Sequence, residues 1–99
     1  SQEVNRSILR SVGISATSLG PNYGVNGVRV TNILPGSLAE NQIKVGDIIY
    51  KINQNPIYHA VHLKQLILAL TPIGETRFYV IRNGEKLNAP IEIPQVNES

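Results

Sequence analysis

Two histidines, His59 and His62, stand three residues apart at the start of an apolar helical stretch, close enough to share a metal or a proton. No third ligand lies near them in sequence, and the chain has no cysteine to complete a metal site. They read as exposed residues at a helix start, and neither a metal nor a cofactor is expected. Seven serines and seven carboxylates accompany them. None of the serines stands in Gly-x-Ser-x-Gly or in the Gly-Asn-Ser-Gly-Gly of trypsin-like enzymes, so no nucleophile and base can be drawn together and no catalytic residue is assigned. Gly24-Val25-Asn26-Gly27 places two glycines in a loop but precedes no helix, which a phosphate-cradling loop requires. Asp47 follows Gly46, a context for a turn or a hydrogen bond rather than for catalysis. Residues capable of covalent chemistry are present without the spacing that such chemistry needs.

Binding is the remaining class. Nine Lys and Arg against seven Asp and Glu give a net charge of +2, and the cations are scattered from Arg6 to Lys86. With one Phe and four Tyr there is no aromatic platform between basic residues, so no nucleic-acid partner is expected. The longest apolar run, Leu66 to Leu70, is far below the roughly 20 residues of a membrane-spanning helix. The chain opens at Ser1 with neither Met nor a signal peptide and reads as a piece of a longer or processed protein. Its 99 residues, 41% of them apolar, suffice for one domain held by Val, Ile and Leu without disulfides.

The elements that would position a binding surface follow from periodicity and punctuation. Residues 1–10 carry Val4, Ile8 and Leu9 in a short Ser-rich run and are expected to be a linker or the tail of a preceding domain. Residues 11–94 form the expected domain and 95–99 a polar tail. Ile14 to Leu19 reads as a strand closed by Gly20-Pro21-Asn22, and Val28 to Ile33 as a strand ended by Pro35-Gly36. Ser37 with Glu40 three residues on is a capping box that opens one turn of helix. Asp47 to Asn53 is a strand with Ile48, Tyr50 and Ile52 on one face and Ile49 and Lys51 on the other. Ala60 to Leu70 is the main helix, with Leu63, Ile67 and Leu70 at i, i+4 and i+7, ended by Pro72 and Gly74. Thr76 to Arg82 and Lys86 to Ile93 pair across Asn83-Gly84, the residues a type I′ hairpin demands. The expected fold is α+β, with about five strands in a partly closed sheet or barrel capped by two helices.

Val28-Arg29-Val30-Thr31-Asn32-Ile33-Leu34-Pro35-Gly36-Ser37-Leu38-Ala39, then Ile43-Lys44-Val45-Gly46-Asp47-Ile48-Ile49 and Ile52-Asn53, resembles the core signature of PDZ domains. Pro72, Gly74 and Arg82-Asn83-Gly84 resemble the circularly permuted subset found in bacterial HtrA-type, DegS/DegP-like serine proteases. The likeness runs from about Arg10 to Ile93. It implies a non-catalytic regulatory module attached to a serine protease domain, in a parent that is a homo-oligomer of the periplasm or cell envelope. It also implies that Ser11-Val12-Gly13-Ile14 is the loop that binds the carboxylate of a partner's C-terminal peptide, from an unfolded or signalling protein, through the N–H groups of Val12, Gly13 and Ile14. Successive amides in a Gly-containing turn make an anion nest, and the strand behind it can accept an extended peptide as an added strand. The peptide's side chains would meet Ala16, Lys64, Ile67 and Leu68. Ser11 stands where sensor-type members carry Tyr, and Lys64 where an apolar wall is usual, which opens the pocket to a smaller or acidic residue. The alternative is a PDZ-like scaffold of a secretion or assembly machine, with a vestigial groove and a folded partner.

Overall fold

A computed structural model describes residues 8–20, 23–70 and 75–92. The expected turn at Pro21-Asn22, the helix stop at Pro72 and Gly74, and the two ends of the chain lie outside the described residues. Six strands appear: β1 (Ile14–Ser18), β2 (Val28–Ile33), β3 (Ile48–Ile52), β4 (Asn55–Pro56), β5 (Glu75–Arg82) and β6 (Glu85–Glu92). They form one antiparallel sheet in the order β1-β2-β3-β5-β6, with β4 turned back onto β3. The expected strand pattern is found, with two corrections. A sixth strand of two residues is present, and the sheet does not close, so β1 and β6 are both edges.

Alternation explains most of the packing. Val28 and Val30 of β2, Phe78 and Val80 of β5, and Ala89 and Ile91 of β6 point inward and are buried. β3 departs from the expected alternation. Ile49 pairs with Val80 and Lys51 with Tyr79, so Tyr50 is an extra residue on β3 and a bulge resets its faces. Ile49 and Ile52, three apart, are therefore both fully buried, while Tyr50 and Lys51 are half-exposed. The Asn83-Gly84 turn behaves as read, with φ of 52° and 81° at its two positions.

Helix α1 is described over residues 8–12, and helix α2 spans Ala60–Leu70. Residues 8–10, expected as linker, belong to α1, and Ile8 is buried in the core beside the fully buried Val12. The helix expected at Ser37 is instead a run of turns, with Ser37 N–H donating to Leu34 O, Glu40 N–H to Ser37 O and Gln42 N–H to Ala39 O. Neither reciprocal bond of the capping box forms, because the Ser37 amide donates to Leu34 O and the Glu40 amide to Ser37 O. Glu40 Oε1 accepts from the Gly36 amide at 3.1 Å, and Ser37 Oγ is buried without a hydrogen-bond partner. Ala39, fully buried, lets this segment lie against the core.

Asp47 is the one fully buried charge among the described residues. Its carboxylate accepts the Lys44 amide at 2.9 Å and two bonds from Arg82, Nε at 2.8 Å and Nη2 at 2.7 Å. This forked pair fixes the turn before β3 to the end of β5. The hydrogen bond to Asp47 also holds the Arg82 guanidinium above its ordinary pKa, against a smaller opposing effect of burial.

Candidate functional site

The expected carboxylate loop is the exit of α1. Gly13 takes φ of +77°, and its amide donates to Leu9 O at 2.9 Å, the left-handed stop that glycine supplies at a helix C-terminus. The carbonyls of Ser11, Val12 and Gly13 accept from the amides of Leu38, Ala39 and Leu34 at 2.8, 3.3 and 2.9 Å. All three therefore point away from β1's free edge and into the 34–39 segment. A side chain at residue 13 would also collide with Ser37. The loop is thus clamped on one side by the turns that follow β2.

The four loop residues divide by role. Val12 is fully buried and belongs to the core, whereas Ile14 is half-buried at the start of β1 and Ser11 is exposed. The Gly13 amide is engaged with Leu9, so a carboxylate would have to compete for it. The Ile14 amide is differently placed. Because Gly13 O accepts from Leu34, the next pair, Ile14 with Ile33, is a non-hydrogen-bonded one, and both backbone groups of Ile14 face the free edge of the sheet. Past an irregularity between Ser15 and Ala16 the same parity holds. The Leu19 amide points back to Gly27 O, which turns the backbone of Ala16 and Ser18 outward as well. β1 therefore presents three consecutive outward positions, Ile14, Ala16 and Ser18.

α2 stands along this edge. Its first amide, of Ala60, donates to Ser18 Oγ at 3.0 Å, so a side chain 42 residues away satisfies one of the orphan donors of the helix N-terminus. Leu63 and Ile67 are buried at 2% exposure, so Ile67 serves the core and leaves little surface for a ligand. Ala16 and Leu68 are half-buried and packed against the core, and Lys64 is exposed on α2. Lys64 is the only formally charged side chain of β1 and α2, and it forms no ion pair with a described residue. Sequence reasoning missed Ser18, because a cap supplied from another element leaves no local signal.

Tyr58 stacks on His62 with ring centroids 6.3 Å apart and planes 10° from parallel. Among the described residues no three His, Asp or Glu come together as a metal site.

The PDZ domain family model matches residues 1–80. A probable periplasmic serine endoprotease DegP-like of Pseudomonas putida (strain W619) is 29% identical over 93 residues, covering 93% of this chain and 18% of the relative. A protein of the same name from Pseudomonas fluorescens is 29% identical over 98 residues, covering 98% of this chain and 19% of its own length. The chain thus spans about a fifth of these relatives. Among solved structures, the HtrA3 PDZ domain bound to a phage-derived ligand (FGRWV) superposes with a TM-score of 0.71 at 24% identity, covering 82% of this chain and 81% of that one. The HtrA-type protease AlgW with a decapeptide gives 0.75 at 21% identity, over 97% of this chain and 34% of that one. These two likenesses concern the fold.

Proposed function

The chain belongs to the PDZ domain family, and from that premise we propose that it is the peptide-capturing regulatory module of an HtrA-like periplasmic serine protease. It takes the C-terminus of an unfolded or signalling envelope protein as an added strand on β1 and conveys that event to a protease domain attached before residue 8, in a homo-oligomeric parent. The module itself carries no catalysis.

The observation that carries this reading is the difference between the two sheet edges. β1 turns the backbone of Ile14, Ala16 and Ser18 outward, has neither charge nor proline, and runs beside α2. β6 is guarded. The two-residue turn makes Arg82 and Glu85 a hydrogen-bonded pair, so its outward positions are Lys86, Asn88, Pro90 and Glu92. Two of these are charged, and Pro90 has no N–H to offer, the usual ways of blocking strand addition. The β1 edge alone is left fit for a guest.

The groove also suggests what the guest carries. With Ala60 tied to Ser18 and α2 laid back along β1, Lys64 lies about 6 Å along the helix. Ala16 lies about 7 Å along the strand, so the two are level. A peptide residue opposite Ala16, the second before the C-terminal one, has its side chain on the α2 side. A carboxylate there pairs with Lys64.

The test is titration of the domain with FGRWV and with the same peptide carrying Glu in place of Arg, each as free acid and as C-terminal amide. The free acids are expected to bind at least about tenfold more tightly than the amides, a difference of ~1.4 kcal/mol. Equal binding would sink the carboxylate role. The Glu peptide should bind a few-fold better than the Arg peptide, since an exposed pair is worth about 0.2–1 kcal/mol, and Lys64→Glu should reverse the order.

One observation favours the scaffold reading, in which the groove is vestigial. The Gly13 amide already has a partner in Leu9 O. Under that reading free acids and amides bind equally poorly, and a folded protein binds instead.

A further inference from the structure

The sheet has a second face. Phe78 and Val80 turn into the core, where Val12 of α1 and Leu63 and Ile67 of α2 join them, so Arg77, Tyr79 and Ile81 face away from both helices. Register carries that outer face across the strands, because residues directly opposite in an antiparallel pair share a side. Arg29 pairs with Ile48, Ile48 with Ile81 and Ile81 with Lys86, which makes one row over β2, β3, β5 and β6. Lys51, Tyr79 and Asn88 make the next row. Tyr50, the bulged residue, brings its ring to 6.3 Å from that of Tyr79.

This patch is apolar at its centre and cationic at its rim. Ile48, Tyr50, Tyr79 and Ile81 are half-buried, and Arg29 and Lys86 at the ends of the row are exposed. Lys51 Nζ stands 4.3 Å from the centre of the Tyr79 ring, and Lys86 Nζ 5.8 Å from that of Tyr50. Arg29 Nη1 donates to the Tyr23 hydroxyl at 3.1 Å. None of these three cations forms an ion pair with a described residue. Glu75 and Glu92 lie opposite each other at the far end of β5 and β6, and Glu75 is bonded to Arg77. The cations therefore rest on rings and a hydroxyl for want of a carboxylate. A ring contact leaves ammonium N–H donors to spare, so a carboxylate can be added without giving up the ring.

We propose that this face docks an acidic protein segment, with an apolar side chain over Ile48, Ile81 and the two tyrosines and a carboxylate to either side, on Arg29 and on Lys86. An apolar centre with a polar rim is the build of a protein contact, and a rim of one sign selects a partner of the other. Spacing follows from the sheet. Three strand separations put the backbones of Arg29 and Lys86 about 14 Å apart. An extended chain laid across the strands covers about 13 Å in four residues and turns every second side chain toward the sheet, which gives Glu-x-Leu-x-Glu. Beside this row Tyr50, Tyr79, Lys86, Leu87 and Asn88 bound a hollow of about 240 Å³ that can take the leucine. The contact does not depend on peptide capture at the β1 edge.

The probe is the blocked peptide acetyl-SESLSES-amide, which has no terminal carboxylate, titrated into the isotope-labelled chain at low salt and followed by amide chemical shifts. Shifts are expected at Ile48, Tyr79, Ile81 and Lys86, with Ile14 to Ser18 unmoved. Acetyl-SKSLSKS-amide should bind about tenfold more weakly, and acetyl-SESSSES-amide, which lacks the leucine, about threefold. Arg29→Glu combined with Lys86→Glu, both at exposed positions, should invert the order of the acidic and basic peptides. Equal binding of those two peptides overturns the proposal, as does a preference that survives the double reversal or a response confined to β1 and α2. Binding to phosphatidylglycerol vesicles without a response to the acidic peptide assigns the face to a lipid surface and overturns it as well.

Discussion

Gly13 is the residue on which the site turns. It ends α1, offers its carbonyl to Leu34 and passes within touching distance of Ser37. Its positive φ is unfavourable for any residue with a Cβ, and there is no room for one. Gly13→Ala should therefore destabilise the domain by about 1–3 kcal/mol, measured as a drop in the urea midpoint. Adding Ser37→Gly should restore only the steric part, because the backbone strain remains. No loss on Gly13→Ala would mean that the loop is not clamped as described. The same geometry has a bearing on binding. On the proposed capture reading, a carboxylate that takes the Gly13 amide beside that of Ile14 must displace its bond to Leu9 O. Sequence pattern marks the four loop residues as one segment but does not separate their environments. Val12 and Ile14 are both β-branched and two apart, and only the presence of α1 puts one in the core and the other at an edge.

Among the elements, those governed by local chemistry were legible. The β5–β6 hairpin follows from Asn83-Gly84, β2 from its alternation, and α2 from Leu63 and Ile67. Elements decided by distant contacts were not. The bulge at Tyr50 arises because Ile49 and Ile52 both find space inward, which no two-residue period can express. The turns at residues 37–42 look like a helix start in sequence, yet their bonds run mostly three residues back and the Lys44 amide is taken by the Asp47 carboxylate, and a helix does not develop. α2 shows the same principle in reverse, since its N-terminal donor is satisfied by Ser18 from β1. Ser18→Ala should cost about 1 kcal/mol and raise hydrogen exchange in the first turn of α2 more than elsewhere. Unchanged exchange there would show that the bond does not hold the helix. Because that bond ties the groove's two walls together at one end, the variant should also weaken peptide binding more than its small effect on stability suggests.

At the level of the whole molecule, an open sheet has two edges, and the Asp47–Arg82 pair braces the strands between them. The edges are unequal. A copy of the domain cannot add its β1 to the β6 of another, because Pro90, Lys86 and Glu92 stand in the way, so head-to-tail growth is blocked. What remains is β1 against β1 of a second copy, related by a two-fold axis. Such a pair uses both open edges at once and has none left to extend, so self-association ends at a dimer however high the concentration. Sedimentation at increasing concentration should show monomer and a weak dimer and nothing larger. A C-terminal peptide should dissolve that dimer, and Ala16→Pro, which removes an outward amide while sparing the bonds to β2, should abolish both. Higher oligomers would show that β6 is not closed. On the proposed capture reading the unequal edges act as a terminator: one added strand satisfies β1, and the charges and proline of β6 leave no second edge to extend.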